Sequence, residues 1–158
     1  MFWRLSGVLA ISVVLHSVPA FGQDKDASNL QGITGVRVVI EDISPDAERA
    51  GLKKAQVQSD VEAWLRKKGV TVDSRAAEQF YVDVDTGNAA GGYAYGIDVG
   101  FRQPATLQRT GKTVLADTWS DGTVGSSTPA KLAIAVRDQL RDLLDEFIVE
   151  YFAANPKR

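Results

Sequence analysis

The chain has 158 residues, with 18 basic and 20 acidic side chains, one histidine, no cysteine and a formal net charge of −2. This length suits one ordinary domain. The small negative charge argues against nucleic-acid binding, which needs a basic stripe to neutralise phosphates, and the lack of cysteine excludes disulfides and thiol nucleophiles.

Residues 1–22 are typical of a secretory signal peptide. Arg4 supplies the positive start, Leu5 to Leu15 form a short apolar stretch, and Ala20 to Gly22 fit the small-residue rule for cleavage after position 22. Arg4 is the only charged residue in this segment, so cleavage would leave 17 basic against 20 acidic side chains and remove the only histidine. Imidazole-based triads and imidazole-bound zinc would then be excluded. We expect a periplasmic or secreted protein with no transmembrane span after cleavage; an uncleaved anchor over Phe2 to Val18 is the alternative.

The chain after the expected cleavage site begins with a polar stretch. Residues 23–34 have little to bury, so they predict a flexible leader, followed by a single domain over residues 35–158. Apolar residues alternate between Val36 and Ile43, which predicts a first strand with one buried face.

Two helical segments follow this strand. Ser44 suits an N-cap and Pro45 a first helical position, with Gly51 ending a short turn. A longer helix follows and ends at Gly69, after a basic last turn. Its apolar face comprises Val57, Val61, Trp64 and Leu65.

Alternating apolar residues predict the remaining strands. A short strand is expected over Val70 to Val72 and a longer one over Phe80 to Asp85. Thr106 to Arg109 and Thr113 to Trp119 are expected to pair as a hairpin. The most regular strand places one row of residues toward the helices: Tyr93, Tyr95, Ile97, Val99 and Phe101.

The last helix completes the pattern. A Gly- and Ser-rich segment, Ser120 to Ser127, predicts a loop before it. Thr128 suits its cap and Pro129 its first position, and a wide apolar stripe runs along it until Asn155. The order β-α-β-β-β-β-α predicts an α+β two-layer sandwich, in which a mainly antiparallel sheet of about five strands carries two helices on one face.

The sheet face away from the helices is the first candidate for binding. Gly96 and Gly100 weaken a strand that is otherwise strongly patterned, and such glycines mark a bulge or the close approach of another backbone or ligand. We expect an envelope protein partner to dock on this face or on an open edge of the sheet.

The segment entering the last helix is a second candidate. Free backbone N–H groups at a helix start attract anions, and a nearby lysine adds charge. This hypothesis assigns a small-ligand or anion site to Gly125, Ser127, Thr128 and Lys131. A loop and cap without a ligand is the structural alternative.

Acidic residues suggest two further chemistries. Asp85, Thr86 and Gly87 match the local signature of aspartic peptidases, which need two carboxylates sharing one proton, but an ordinary turn explains the same residues. Asp83, Asp85 and Asp98 would share one face of the sheet. Side chains at i and i+2 lie roughly 7 Å apart on a strand, so we expect a solvated charge pattern and no metal site there. The sequence predicts no cofactor.

Several segments resemble a group of small uncharacterised exported proteins of bacteria. They are Tyr93 to Tyr95, Arg102 to Pro104, Leu115 to Trp119 and Ala153 to Pro156. The resemblance implies a location in the cell envelope and brings no known activity. The order of elements is also similar to the N-terminal α/β domain of the Tol-system propeller protein. These observations favour a non-enzymatic, exported interaction module; a small-ligand or anion-binding protein and an Asp85-dependent hydrolase are the alternatives.

Overall fold

The computed structural model describes residues 27–89 and 91–156. The predicted signal peptide, residues 1–22, and the first four residues of the predicted leader lie outside this range. Among the described residues, no helix is both long and apolar enough to cross a membrane. The strands are β1 (Arg37–Ile40), β2 (Gln79–Ala89), β3 (Gly92–Thr106) and β4 (Thr113–Ser127). The α-helices are α1 (Pro45–Arg49), α2 (Lys54–Lys68) and α3 (Leu132–Ala154), and short 3₁₀ turns cover Ala27–Leu30 and Pro129–Lys131.

The four strands form one sheet in the order β1-β2-β3-β4. β1 runs parallel to β2 because the chain returns through α1 and α2 between them. β2, β3 and β4 are antiparallel neighbours. The buried apolar side chains of the strands point to one face, where they share a single core with α2 and α3. The predicted α+β architecture with helices on one face is therefore confirmed.

The strands differ from the prediction in number and length. Val70 to Val72 does not form a fifth strand, because only Val72 bridges to Val36. β3 continues to Thr106 and β4 continues through the predicted loop, Ser120 to Ser127. Pairing along a long neighbouring strand here overrides the weak β-propensity of Gly and Ser.

The helix ends follow local chemistry. The Ser44 Oγ accepts a hydrogen bond from the Ala47 N–H at 3.3 Å, which confirms it as the cap of α1. Gly51 and Gly69 both have φ of 96°, a left-handed conformation that favours glycine. Thr128 differs from the prediction, since its side chain makes no capping bond and a 3₁₀ turn precedes α3.

The core lies between the sheet and the helices, and Phe147 of α3 is at its centre. This side chain is fully buried. Its ring centroid lies 4.7 Å from that of Phe80 in β2, 5.9 Å from Phe101 in β3 and 5.2 Å from Trp119 in β4. One helical residue therefore contacts three strands.

Residues 27–34 belong to the folded domain. Leu30 is fully buried in the core, and its carbonyl accepts a hydrogen bond from Asn155 Nδ2 at 2.7 Å. The Tyr151 hydroxyl donates to the Ile33 carbonyl at 2.9 Å. The predicted flexible leader therefore needs correction here: one buried leucine and the end of α3 hold this polar segment in place.

Candidate functional site

The outer face of the sheet, opposite the helices, carries an open hollow. In the register, Asp85 of β2 lies opposite Gly96 of β3, and Gly96 lies opposite Val124 of β4. The Val124 side chain is 83% exposed. We call this hollow of about 730 Å³ the outer hollow; its lining includes Asp85, Gly87, Ala94, Gly96, Val124 and Ser126.

Only one of the two glycines predicted for this face is open to a partner. A Cβ on Gly96 would meet no atom within 4 Å, and the backbone there does not have a positive φ. A Cβ on Gly100 would lie 3.2 Å from Asp117 Oδ1, because the Arg102–Asp117 ion pair lies beside it. Gly100 is buried, so the candidate surface contains Gly96 without Gly100.

Gly125 is a packing residue of β4 and does not lie in the predicted anion-binding loop. It lies opposite Tyr95 in the register. A Cβ on Gly125 would lie 2.6 Å from the Cζ and Oη of Tyr95, a side chain that is only 5% exposed. The missing side chain gives the tyrosine ring its space, which corrects the role expected for this glycine.

The other three residues predicted for an anion site do come together. Ser127, Thr128 and Lys131 line a hollow of about 520 Å³ at the end of the sheet. The Ser127 Oγ donates to the Thr128 carbonyl at 3.1 Å, and the Lys131 N–H donates to the same carbonyl at 3.0 Å. Because these two donors are already used, the exposed Lys131 ammonium is the main group there that would attract an anion.

Several carboxylates lie close together on the outer face of the sheet, next to the outer hollow. Asp83 lies directly opposite Asp98 in the register. Burial first, and then the charges of Asp85, Glu41 and Asp98, raise the pKa of Asp83 above its ordinary value. No group of three or more potential ligands in the described chain is arranged to hold a metal ion. Burial and like-charge repulsion therefore both disfavour the ionised form of Asp83.

We expect Asp83→Asn to stabilise the protein at pH 7 by about 0.2–1 kcal/mol, the order of magnitude of a cross-strand pair interaction, because the neutral amide removes both the burial of a charge and the like-charge repulsion. A raised folded-state pKa means that ionised Asp83 weakens the fold at neutral pH, and that protonation restores stability as the pH falls through that pKa. The advantage of the variant should therefore shrink between pH 7 and pH 3. Urea unfolding at both pH values measures it.

Asp145→Asn is the matched control with the opposite sign. The hydrogen bond from Lys68 is the largest of several interactions that lower the pKa of Asp145, so its stabilising contribution is present at neutral pH and lost as the pH falls. That variant should be less stable than the parent at pH 7. If the Asp83→Asn protein is less stable than its parent at pH 7, ionised Asp83 does not destabilise the fold.

The peptidase-like triplet lies within a strand and not at a turn. β2 continues to Ala89, so Asp85, Thr86 and Gly87 are all paired with β3. The Thr86 hydroxyl bonds the Ser44 hydroxyl at 2.8 Å, which gives this threonine a structural contact with the start of α1. The prediction of a turn at these residues is wrong, because β2 and β3 remain paired beyond them, as far as Ala89 and Gly92.

The strand formed by Ser120 to Ser127, which places β4 at the edge of the sheet, is the feature that sequence analysis missed. Among the described strands, β4 has β3 as its single neighbour. The Asn29 Nδ2 donates to the Thr118 carbonyl at 3.0 Å near the β3–β4 bulge, and the Gly122 N–H donates to Asp121 Oδ1 at 2.8 Å. A lone valine among Gly and Ser gave no clear period, so composition indicated a loop.

Comparison with known proteins gives only distant similarities. No protein-family model matches the sequence, and no curated protein matches it. The chain is similar in structure to a PelC dodecamer from Paraburkholderia phytofirmans, with 15% identity, coverage of 79% of this chain and 88% of that chain, and a TM-score of 0.37. It is also similar to a minor lipoprotein from Acinetobacter baumannii, with 11% identity, coverage of 79% and 87%, and a TM-score of 0.30. Both TM-scores lie below 0.5, so neither similarity says what this chain binds or assembles with.

Proposed function

We propose that the chain is a non-enzymatic, exported protein-interaction domain of the bacterial cell envelope, whose partner docks on the outer hollow and the adjoining edge of β4. Gly96 carries the proposal. Glycine inside a strand costs about 0.5–1 kcal/mol relative to alanine, and neither backbone conformation nor packing requires it at this position. A partner that must approach the sheet closely would require it.

The edge of β4 supports the same surface. Among the described strands, its second half, Ser120 to Ser127, pairs with β3 on one side, and its side chains are small apart from Asp121 and Val124. An extended segment of a partner can add to such an edge through main-chain hydrogen bonds, while a side chain of the partner occupies the outer hollow. Val124 would provide the apolar contact.

The charge around the outer hollow defines the partner further. Asp83, Asp85 and Asp98 lie on one face of the sheet beside Gly96. Their mutual repulsion favours a segment that brings lysine or arginine into the row. We therefore expect the docking segment to be extended and basic.

A photo-crosslinking amino acid in place of Val124 tests the proposal in extracts of the native envelope. We expect it to capture a discrete protein, identified by mass spectrometry and then purified for direct binding. Gly96→Trp should reduce that binding at least tenfold, because the ring would fill the hollow. The melting temperature should stay the same or rise, because the Gly96 position is open.

Val149 on α3 offers matched controls, because it is 70% exposed and lies on the helix side of the molecule. The crosslinker at position 149 should not capture the same protein, and Val149→Trp should leave binding within twofold. Capture of the same proteins from both positions, capture from neither, or full binding by the Gly96→Trp protein would overturn the proposed surface.

A further inference from the structure

The cleft between α2 and α3 lies on the other side of the molecule from the outer hollow. A set of contacts between the two helices closes each end of this cleft. At one end Arg137 Nε lies 2.5 Å from Asp60 Oδ2. At the other, Asp145 accepts hydrogen bonds from Trp64 Nε1 at 3.0 Å and Lys68 Nζ at 2.8 Å. Between them the helices leave a cavity of about 210 Å³.

The floor of the cleft is apolar. Val57 and Val61 of α2 and Leu140 and Leu144 of α3 line it, and each of these side chains is at most 3% exposed. The half-buried Trp64 indole forms a wall. The volume equals about seven water-sized groups at ~30 Å³ each, so a short unbranched chain would fit.

The mouth of the cleft is positively charged. Lys67, Arg137 and Arg141 line it together with Asp60. The nearest further carboxylate on Arg141 is Asp138, at 3.6 Å. With Lys68 and Asp145 at the end of the cleft included, four cations face three carboxylates, which leaves one positive charge. In the described chain Lys67 has no carboxylate within 4 Å, and its ammonium lies 4.8 Å from the centre of the Trp64 ring.

The Trp64 ring is surrounded by cations on the solvent side. Lys68 Nζ lies 4.8 Å and Arg141 Cζ 5.1 Å from the ring centre. Lys68 is committed to Asp145, whose carboxylate it keeps ionised by lowering its pKa. Lys67 and Arg141 both line the cavity; Arg141 keeps only a long, exposed contact with Asp138, so both side chains can turn toward a ligand.

We propose that this cleft binds a small amphiphilic anion, a single carboxylate on an unbranched apolar tail of about seven carbon atoms. The tail would lie against Leu140, Leu144 and the Trp64 ring, and the carboxylate would lie between Lys67 and Arg141. This supplies the one negative charge that the mouth lacks, and the tail covers the Trp64 ring and Ala63, the apolar lining residues that water still reaches. The site is independent of the outer hollow and of the protein partner proposed there.

Octanoate is the probe, and the indole N–H signals in ¹H–¹⁵N NMR spectra are the measurement. We expect a saturable shift of the Trp64 signal with a Kd below about 1 mM. We expect no matching shift of Trp119, which is buried away from the cleft and whose indole N–H donates to Glu150. Octylammonium has the same number of carbon atoms, with a tail one methylene longer and the opposite charge. It should bind at least tenfold more weakly, since the mouth repels it.

Three variants separate binding from fold. Ala63 is exposed and lines the cavity, so Ala63→Phe should block the cleft and abolish the Trp64 shift. The double variant Lys67→Gln with Arg141→Gln changes only surface side chains and should weaken octanoate about 10–30-fold. Arg66→Gln is the matched control, because Arg66 pairs with Glu62 and is not among the residues lining the cavity; it should change the Kd less than twofold.

Several results would overturn the site. Equal binding of octanoate and octylammonium would show apolar association without charge recognition. Equal shifts of the Trp64 and Trp119 indole signals, no saturable shift, or unchanged binding by the Ala63→Phe protein would each exclude the cleft as the site.

Discussion

Phe147→Ala is expected to destabilise the protein by about 3–5 kcal/mol, the range for removing a large aromatic side chain from a packed core. The Phe147 ring is fully buried and its neighbours come from β2, β3 and β4. The cavity left behind would separate α3 from three strands at once. Each kcal/mol of destabilisation lowers the melting temperature by a few degrees in a domain of this size, so we expect a fall of roughly 10–20 °C. The total stability of such domains is about 5–15 kcal/mol, so the loss would be a large part of it.

Val149→Ala is the control for this result, because the same helix carries Val149 on its exposed side. It should change the free energy of unfolding by less than about 0.5 kcal/mol. Phe147→Leu should fall between the two, since it retains part of the apolar volume. A loss below about 1 kcal/mol for Phe147→Ala would show that Phe147 is not central to the core.

The sequence predicted the elements whose pattern is long and regular. The apolar stripe of α3 and the alternation from Tyr93 to Phe101 both repeat over several periods, and the structure buries the face that each predicts, with Tyr93 at the margin. The start of α1 and the end of α2 were predictable because Ser44 and Gly69 act on their own neighbours. Local chemistry decides these features.

The predictions that were wrong concern segments whose structure depends on contacts with residues distant in sequence. Ser120 to Ser127 is a strand because β3 extends beside it; within the segment, Thr123 and Val124 favour a strand but are outnumbered by Gly, Ser and Asp. Leu30 and Ile33 are the large apolar residues of a mostly polar segment. Their burial depends on Asn155 and Tyr151, more than 100 residues away.

The role of each glycine at the candidate site likewise depends on neighbours that are distant in sequence. Gly96, Gly100 and Gly125 looked alike as flexible residues in or near strands. The register gives each a different neighbour: open space for Gly96, the Asp117 carboxylate for Gly100 and the Tyr95 ring for Gly125. Sequence could therefore nominate glycines, while only cross-strand pairing could separate a docking position from a packing position.

Gly125→Ala is expected to destabilise the protein by about 1–3 kcal/mol, the usual cost of overpacking a core. The new Cβ would lie 2.6 Å from two atoms of Tyr95, so the buried ring would have to move. Gly96→Ala is the matched substitution in the neighbouring strand. It should stabilise by about 0.5–1 kcal/mol, because its Cβ meets no atom and alanine is less costly to order than glycine. Chemical denaturation of both variants measures the contrast.

Tyr95→Leu tests whether the tyrosine ring causes the cost at position 125. Removing the hydroxyl alone would not suffice, because the Cζ of Tyr95 is as close to the new Cβ as the Oη is. In the Tyr95→Leu background, Gly125→Ala should therefore cost less than about 1 kcal/mol, and the two substitutions should couple by about 1 kcal/mol or more in a double-mutant cycle. Additive costs would mean that Gly125 is required by the backbone of β4 instead of the ring beside it.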